Sequence, residues 1–226
     1  MTDPAPVGKQ RTGSRYQLVI LCLLLVGSQY GLFVILSLPF AYMAVWVVHA
    51  PVATSNAFNY LCTIGAEWLE LACVWLVARN GFRLFDFIGI AQSRKQLCLE
   101  IFLGTGLGAA EAIYTVLPRA HLLKPFSGEV VLLIAVSLSA GYVEEVVYRG
   151  YLQRLLIDSL DNLWLAIVIQ AVFFAFAHSY EGLGAVVRIA IQSLLTGYLA
   201  YRLRNLRVVI VAHCTLDVFA GLAGVL

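Results

Sequence analysis

The chain has 226 residues, of which 61% are hydrophobic and only 12% charged, with a formal net charge of +2 and a mean hydropathy of +0.86. A soluble domain is about one quarter charged, so the composition excludes an ordinary soluble globule and indicates a polytopic membrane protein, a single domain by length. The near-neutral charge and the lack of any long basic run exclude a nucleic-acid partner and leave the lipid bilayer as the expected surroundings.

Residues 1–15 are polar and carry Lys9, Arg11 and Arg15. No small-residue cleavage site follows a short apolar core, so they read as an N-terminal tail ahead of a retained span, with 16–226 as one transmembrane domain. The run Tyr16 to Ala50 would be about 50 Å long as a helix, more than one straight span needs. Pro39 interrupts it, giving either one span with a kinked or interfacial second part, or two short spans. After a loop at 51–56, a span is expected over Ala57–Ala78, containing Glu67 and Glu70. Arg79 to Gln96 mixes charges with Phe82, Phe85 and Phe87 and reads as a segment on the membrane surface.

The next span, Leu97–Val116, holds Glu111 and three glycines (Gly104, Gly106 and Gly108) that allow close helix approach. A loop at 117–128 follows, then a helix from Glu129 to about Ile157, a turn at Asp158–Asn162 and a span over Leu163–His178. Beyond a loop at 179–184, Ala185–Tyr201 is a span with Arg188, Gln192 and Thr196 on one face. The last span, Val208–Leu226, contains His213 and Asp217. With one crossing in the first run, most Lys and Arg fall on one side, which gives about seven spans and a cytoplasmic N-terminus; eight spans is the alternative. Cys22, Cys62, Cys73, Cys98 and Cys214 all lie in apolar runs without a CxxC pair and read as small buried hydrophobes.

The chemistry concentrates at Tyr142–Gly150, where Glu144, Glu145 and Arg149 interrupt an apolar run. A charge at the centre of a membrane helix costs about 3 kcal/mol on insertion scales, so intramembrane acids call for a function. Glu145 and Arg149 share a helix face, whereas Glu144 points about 100° away and must find a partner on another helix. Phe174 and His178 are spaced alike, as are His213 and Asp217. Residues 144 and 178 are equidistant from position 161, inside the expected turn, so Glu144 and His178 should lie at one depth in a helical hairpin. His213, roughly 12 Å from the positive connection at 202–207 by helix rise, can reach a similar depth. A desolvated Glu beside imidazoles can take a proton from water and return it. A His can hydrogen-bond an oxyanion, and Asp217 can fix the tautomer and orientation of His213.

Glu-Glu-x-x-x-Arg (144, 145, 149), Phe-x-x-x-His (174, 178) and His-x-x-x-Asp (213, 217), in that order on successive helices, resemble the CPBP family. These are the CAAX-processing and bacteriocin-processing (Abi) glutamic intramembrane endopeptidases. The resemblance covers about Gly128 to the C-terminus, less than half the chain. It implies an all-α transmembrane bundle around a water-accessible intramembrane cavity, catalysis by Glu144, His178, His213 and Asp217, and support from Glu145, Arg149 and Phe174. It also implies a membrane-associated peptide or protein as substrate and no cofactor. Where prenyl-protein-processing members carry Asn, this chain carries Asp217; an ionised Asp cannot donate to an oxyanion, which favours an orienting role. No prenyl-reading motif stands out, and so short a chain reads as prokaryotic, which argues against CAAX substrates.

Three rivals remain. Two carboxylates and two histidines are plausible zinc ligands, although there is no His-Glu-x-x-His and Arg149 disfavours a cation beside the carboxylates. A proton-coupled transporter would show paired broken helices in two halves, which the sequence lacks. A non-catalytic immunity or secretion accessory would not need Glu144. Cys214 beside His213 is a poor nucleophile pair, because consecutive helical residues diverge by about 100°. Glu67, Glu70, Glu111 and Arg188 are further intramembrane charges that can pair with one another or line the cavity.

Overall fold

The structure, a computed structural model, describes residues 56–78, 93–117 and 128–224. The expected tail, the run 16–50 with its one or two crossings, the loop at 51–55, the amphipathic stretch 79–92 and the loop at 118–127 lie outside these residues. The described chain is all helical. Its elements are α1 (Asn56–Ala78), α2 (Arg94–Thr115), α3 (Gly128–Glu144), a π-helix (Glu145–Leu152), α4 (Gln153–Leu160), α5 (Leu163–Ala177), a 3₁₀ turn (Ser179–Glu181), α6 (Leu183–Leu203) and α7 (Arg207–Leu222). Arg94–Thr115, the continuous Gly128–Leu160 and Leu183–Leu203 are long and apolar enough to cross a membrane; Leu163–Ala177 is apolar but shorter.

Local chemistry sets the boundaries. Ser93 caps α2 by accepting from the Gln96 N–H at 3.1 Å, and Asn162 caps α5 by accepting from the Leu165 N–H at 3.0 Å. Asp161 ends α4 in the left-handed conformation, at φ 52°. The turn is therefore two residues, Asp161 and Asn162, rather than 158–162, because α4 stays helical through Leu160 until the left-handed residue stops it. The expected loop at 179–184 is largely helical too, with the 3₁₀ turn passing through Gly182 at φ 93° straight into α6.

The helix over the paired glutamates is not a regular α-helix. Glu145–Leu152 is π-helical, and all eight of its residues are buried. This segment packs against α1 and α5 as well as its own flanking helices. It is covered on every side, so Arg149 and Tyr151 turn inward along with Val146 and Val147. π segments of this kind recur at functional sites.

Helix α7 packs on both α2 and α3, α1 packs on α3, and α5 on α6. In lipid such contacts are held by close packing and interhelical hydrogen bonds rather than by transfer from water. Gly104 and Gly108 meet α7 as the sequence suggested, while Gly106 has nothing within 4 Å of where a Cβ would stand. The tightest approach beside the site is at Gly141, where a Cβ would lie 2.7 Å from Cys214 Sγ and 2.8 Å from its backbone nitrogen. That contact seats α7 against α3 one turn before Glu144. At the far end, Arg207 forms a two-pronged ion pair with Glu100, its Nη2 donating to Oε1 at 2.8 Å, and so ties the start of α7 to the start of α2.

Candidate active site

Glu144 ends α3 immediately before the π-helix. Its Oε2 lies 3.9 Å from His178 Nε2 and 3.7 Å from His213 Nε2. The equal depth of Glu144 and His178 in the hairpin, expected from position 161, is what the structure has. Both separations exceed a direct hydrogen bond. Oε2 is buried without a hydrogen-bond partner, although the side chain as a whole is 23% exposed.

The far nitrogen of each imidazole is spoken for. His178, the C-cap of α5, directs Nδ1 to the Phe174 carbonyl at 3.0 Å. His213 directs Nδ1 to Glu145 Oε1 at 2.9 Å. A carbonyl and a carboxylate only accept, so both rings carry hydrogen on Nδ1 and turn Nε2 toward Glu144. Asp217 Oδ2 lies 3.5 Å from the same Nε2 of His213. It therefore flanks the working edge of the ring, and Glu145, not Asp217, holds the ring from behind. The physical reason is the rotation of α7: Gly141 lets Cys214 press against α3, which turns His213 toward the π-helix. Cys214 itself points its thiol at the Leu138 carbonyl, at 3.6 Å.

Glu145 has the partner expected for it, Arg149 Nη1 at 3.2 Å from the same Oε1 that binds His213. Arg149 Nη2 donates to Ser193 Oγ and to Thr196 Oγ1, each at 3.0 Å. Its Cζ sits 4.0 Å from the centroid of the Phe174 ring, a cation–π contact. Phe174 meets His178 at 4.9 Å and the edge of His213 at 6.0 Å. The ring thus touches Arg149 and both histidines. The sequence gave Phe174 a packing role under His178 and did not mark Ser193, Gln153 or Gln170. Ser193 also accepts from Gln170 at 3.1 Å, and Gln153 donates to the Gly197 carbonyl at 2.9 Å. Buried amides in apolar helices were the available signal for these residues.

Glu144, Phe174, His178, His213 and Asp217 open on one cavity of about 240 Å³. Glu67, Tyr180, Arg188 and Gln192 also line it. Ser139 donates to Glu67 at 2.6 Å, and Arg188 lies 3.9 Å from Glu181. Among the described residues Glu70 and Glu111 do not line this cavity. Among the described residues no group of three or more His, Cys, Asp or Glu side chains is arranged to hold a metal ion.

A helical protein with membrane-length apolar helices, and a Glu–His–His–Asp cluster open to an internal cavity, has the parts of a membrane hydrolase. Residues 126–219 match the family model described as type II CAAX prenyl endopeptidase Rce1-like. The chain therefore carries an Rce1-like domain of the CPBP family, and the match supports a membrane protease of the CAAX-protease type. No curated protein and no solved structure matches the chain.

Proposed function

We propose that this protein is a glutamate-dependent intramembrane endopeptidase. One observation carries the reading: the Nε2 atoms of His178 and His213 both face Glu144 Oε2, at 3.9 and 3.7 Å, inside a cavity. A water bound to Glu144 gives it a proton as the water oxygen attacks a peptide carbonyl carbon. His178 Nε2, an acceptor in the tautomer that Phe174 imposes, orients that water. The tetrahedral oxyanion is met by His213, which can hold a second proton at Nε2. Collapse breaks the C–N bond, and Glu144 returns its proton to the leaving amine. The products are a new carboxyl terminus and a new amino terminus.

Glu145 and Arg149 position the His213 ring and hold the helix, and Asp217 stabilises the charged form of that ring from beside it. The motif-bearing part, 128–226, belongs to a single transmembrane domain over 16–226, with about seven spans and a cytoplasmic N-terminus in a prokaryotic plasma membrane. The substrate is a membrane-associated protein or peptide. No cofactor takes part in this reading.

The test compares the termini of membrane proteins across the proteome in cells with wild type, Glu144→Ala and His178→Ala. New termini present with wild type and absent with both variants are the expected result, with all three proteins folded in the membrane. Wild-type cleavage in either variant would overturn the mechanism.

A further inference from the structure

Arg188 is not used by the chemistry above. It stands on α6, in a helix long and apolar enough to cross a membrane. Among the described residues it is the one Lys or Arg side chain that lines the cavity. Its closest ionic partner there is Glu181, on the 3₁₀ turn that follows His178, at 3.9 Å. That is beyond hydrogen-bond reach, so five guanidinium donors face a cavity with one loosely placed carboxylate beside them. Both side chains keep some exposure, 32% for Arg188 and 29% for Glu181, and so remain open to a ligand. An arginine in an apolar helix is costly without a matched partner. Arg149, by contrast, is 3% exposed and has an ion pair, two hydroxyl acceptors and an aromatic face.

A planar guanidinium binds a carboxylate through two parallel hydrogen bonds. Resting on the peptidase reading, we infer that Arg188 is the receptor for a substrate carboxylate, and that Glu181 occupies its neighbourhood until the substrate arrives. The carboxylate is either the free C-terminus of a peptide whose scissile bond lies within a few residues of its end, or an acidic side chain at that distance. Binding swaps the 3.9 Å pair for a two-pronged one and fixes how far along the substrate the bond at Glu144 falls. Arg188 is in this sense a specificity-determining residue.

The experiment uses the full-length protein in detergent with Glu144→Gln to prevent turnover. A lipid-anchored random peptide library is offered in three forms: free acid, C-terminal amide, and amide with one Asp or Glu near the end. Bound peptides are read by mass spectrometry. Retention of the free acid, or of the acidic amide, at least tenfold above the plain amide is expected, and which of the two is retained identifies the source of the carboxylate. Adding Arg188→Gln should remove the preference, Arg188→Lys should weaken it, and Glu181→Gln should raise retention of the acid. Equal retention of acid and amide, or a preference that survives Arg188→Gln, overturns the inference, as does selective loss of anionic-lipid binding in that variant, which would make the cation a headgroup site. Cleavage of acid and amide alike by the wild-type protein would leave the peptidase reading standing while this one falls. Cleavage by the Glu144→Gln protein would sink the peptidase mechanism instead.

Discussion

His213 donates its Nδ1 hydrogen to Glu145 at 2.9 Å, across 68 positions of sequence. The same carboxylate oxygen is 3.2 Å from Arg149. One buried acid thus couples the last helix to the π-helix and neutralises a buried arginine. The two adjacent glutamates therefore fail differently when changed.

Glu145→Gln leaves Arg149 buried without its counter-ion. Removing one member of a buried pair costs about 3–5 kcal/mol. A large drop in thermal stability in detergent is expected, together with loss of cleavage. Glu144→Gln keeps the shape and removes a charge whose Oε2 has no hydrogen-bond partner. Its stability should change by less than about 1 kcal/mol while cleavage falls by at least about a thousandfold, on the scale of losing a catalytic group. Equal destabilisation by both variants contradicts this division of roles.

Phe174→Leu should keep the helix and the His178 Nδ1 bond, because that bond goes to a backbone carbonyl. It removes the ring between Arg149 and the histidines. A fall in kcat of about tenfold to a hundredfold with little change in KM is expected for a positioning residue. Phe174→Tyr should retain most of the rate. A rise in KM alone would point to a substrate contact instead.

At Gly197 a Cβ would stand 2.9 Å from Gln153 Oε1 and 3.1 Å from Gln170 Oε1. Overpacking of this kind costs about 1–3 kcal/mol. Gly197→Ala should lower the melting temperature and shift α6 away from Arg149. Gly65→Ala, where a Cβ meets nothing within 4 Å, is the control and should leave stability unchanged. Similar melting for the two variants would show that the amide cluster does not tie α6 in place.

Chelation separates the hydrolytic mechanisms. Cleavage should continue undiminished after prolonged treatment with a strong zinc chelator, since Arg149 sits beside the carboxylates that would have to bind a cation. Activity lost to the chelator and restored by added zinc would favour a metal hydrolase.

Much of this arrangement was legible in the sequence because it depends on helical periodicity. Apolar runs and cap residues placed the described helices to within a few residues. Position 161 gave Glu144 and His178 a common depth, which needs only a hairpin. The Glu145–Arg149 pair needs only one turn of helix. The contact from Glu145 to His213 depends on how far α7 is rotated, which Gly141 and Cys214 decide through a packing distance that no spacing encodes. The role of Asp217 was read from its four-residue offset to His213, which says that the two are close and not which ring nitrogen the carboxylate meets. The Ser193, Gln170 and Gln153 cluster likewise arises from three elements coming together. The π geometry was invisible because its cause is burial on all sides.

The π-helix at Glu145–Leu152 makes the length of this segment as consequential as its side chains. Deleting one residue between Val146 and Leu152 would let a wide turn close into α geometry and rotate everything beyond it by about 100°. Gln153 would swing away from the Gly197 carbonyl while Glu144 and Glu145 stayed in place. Substitutions here can be absorbed one at a time, whereas insertions and deletions cannot. In the lineage of this domain the segment should drift in spelling and hold its count.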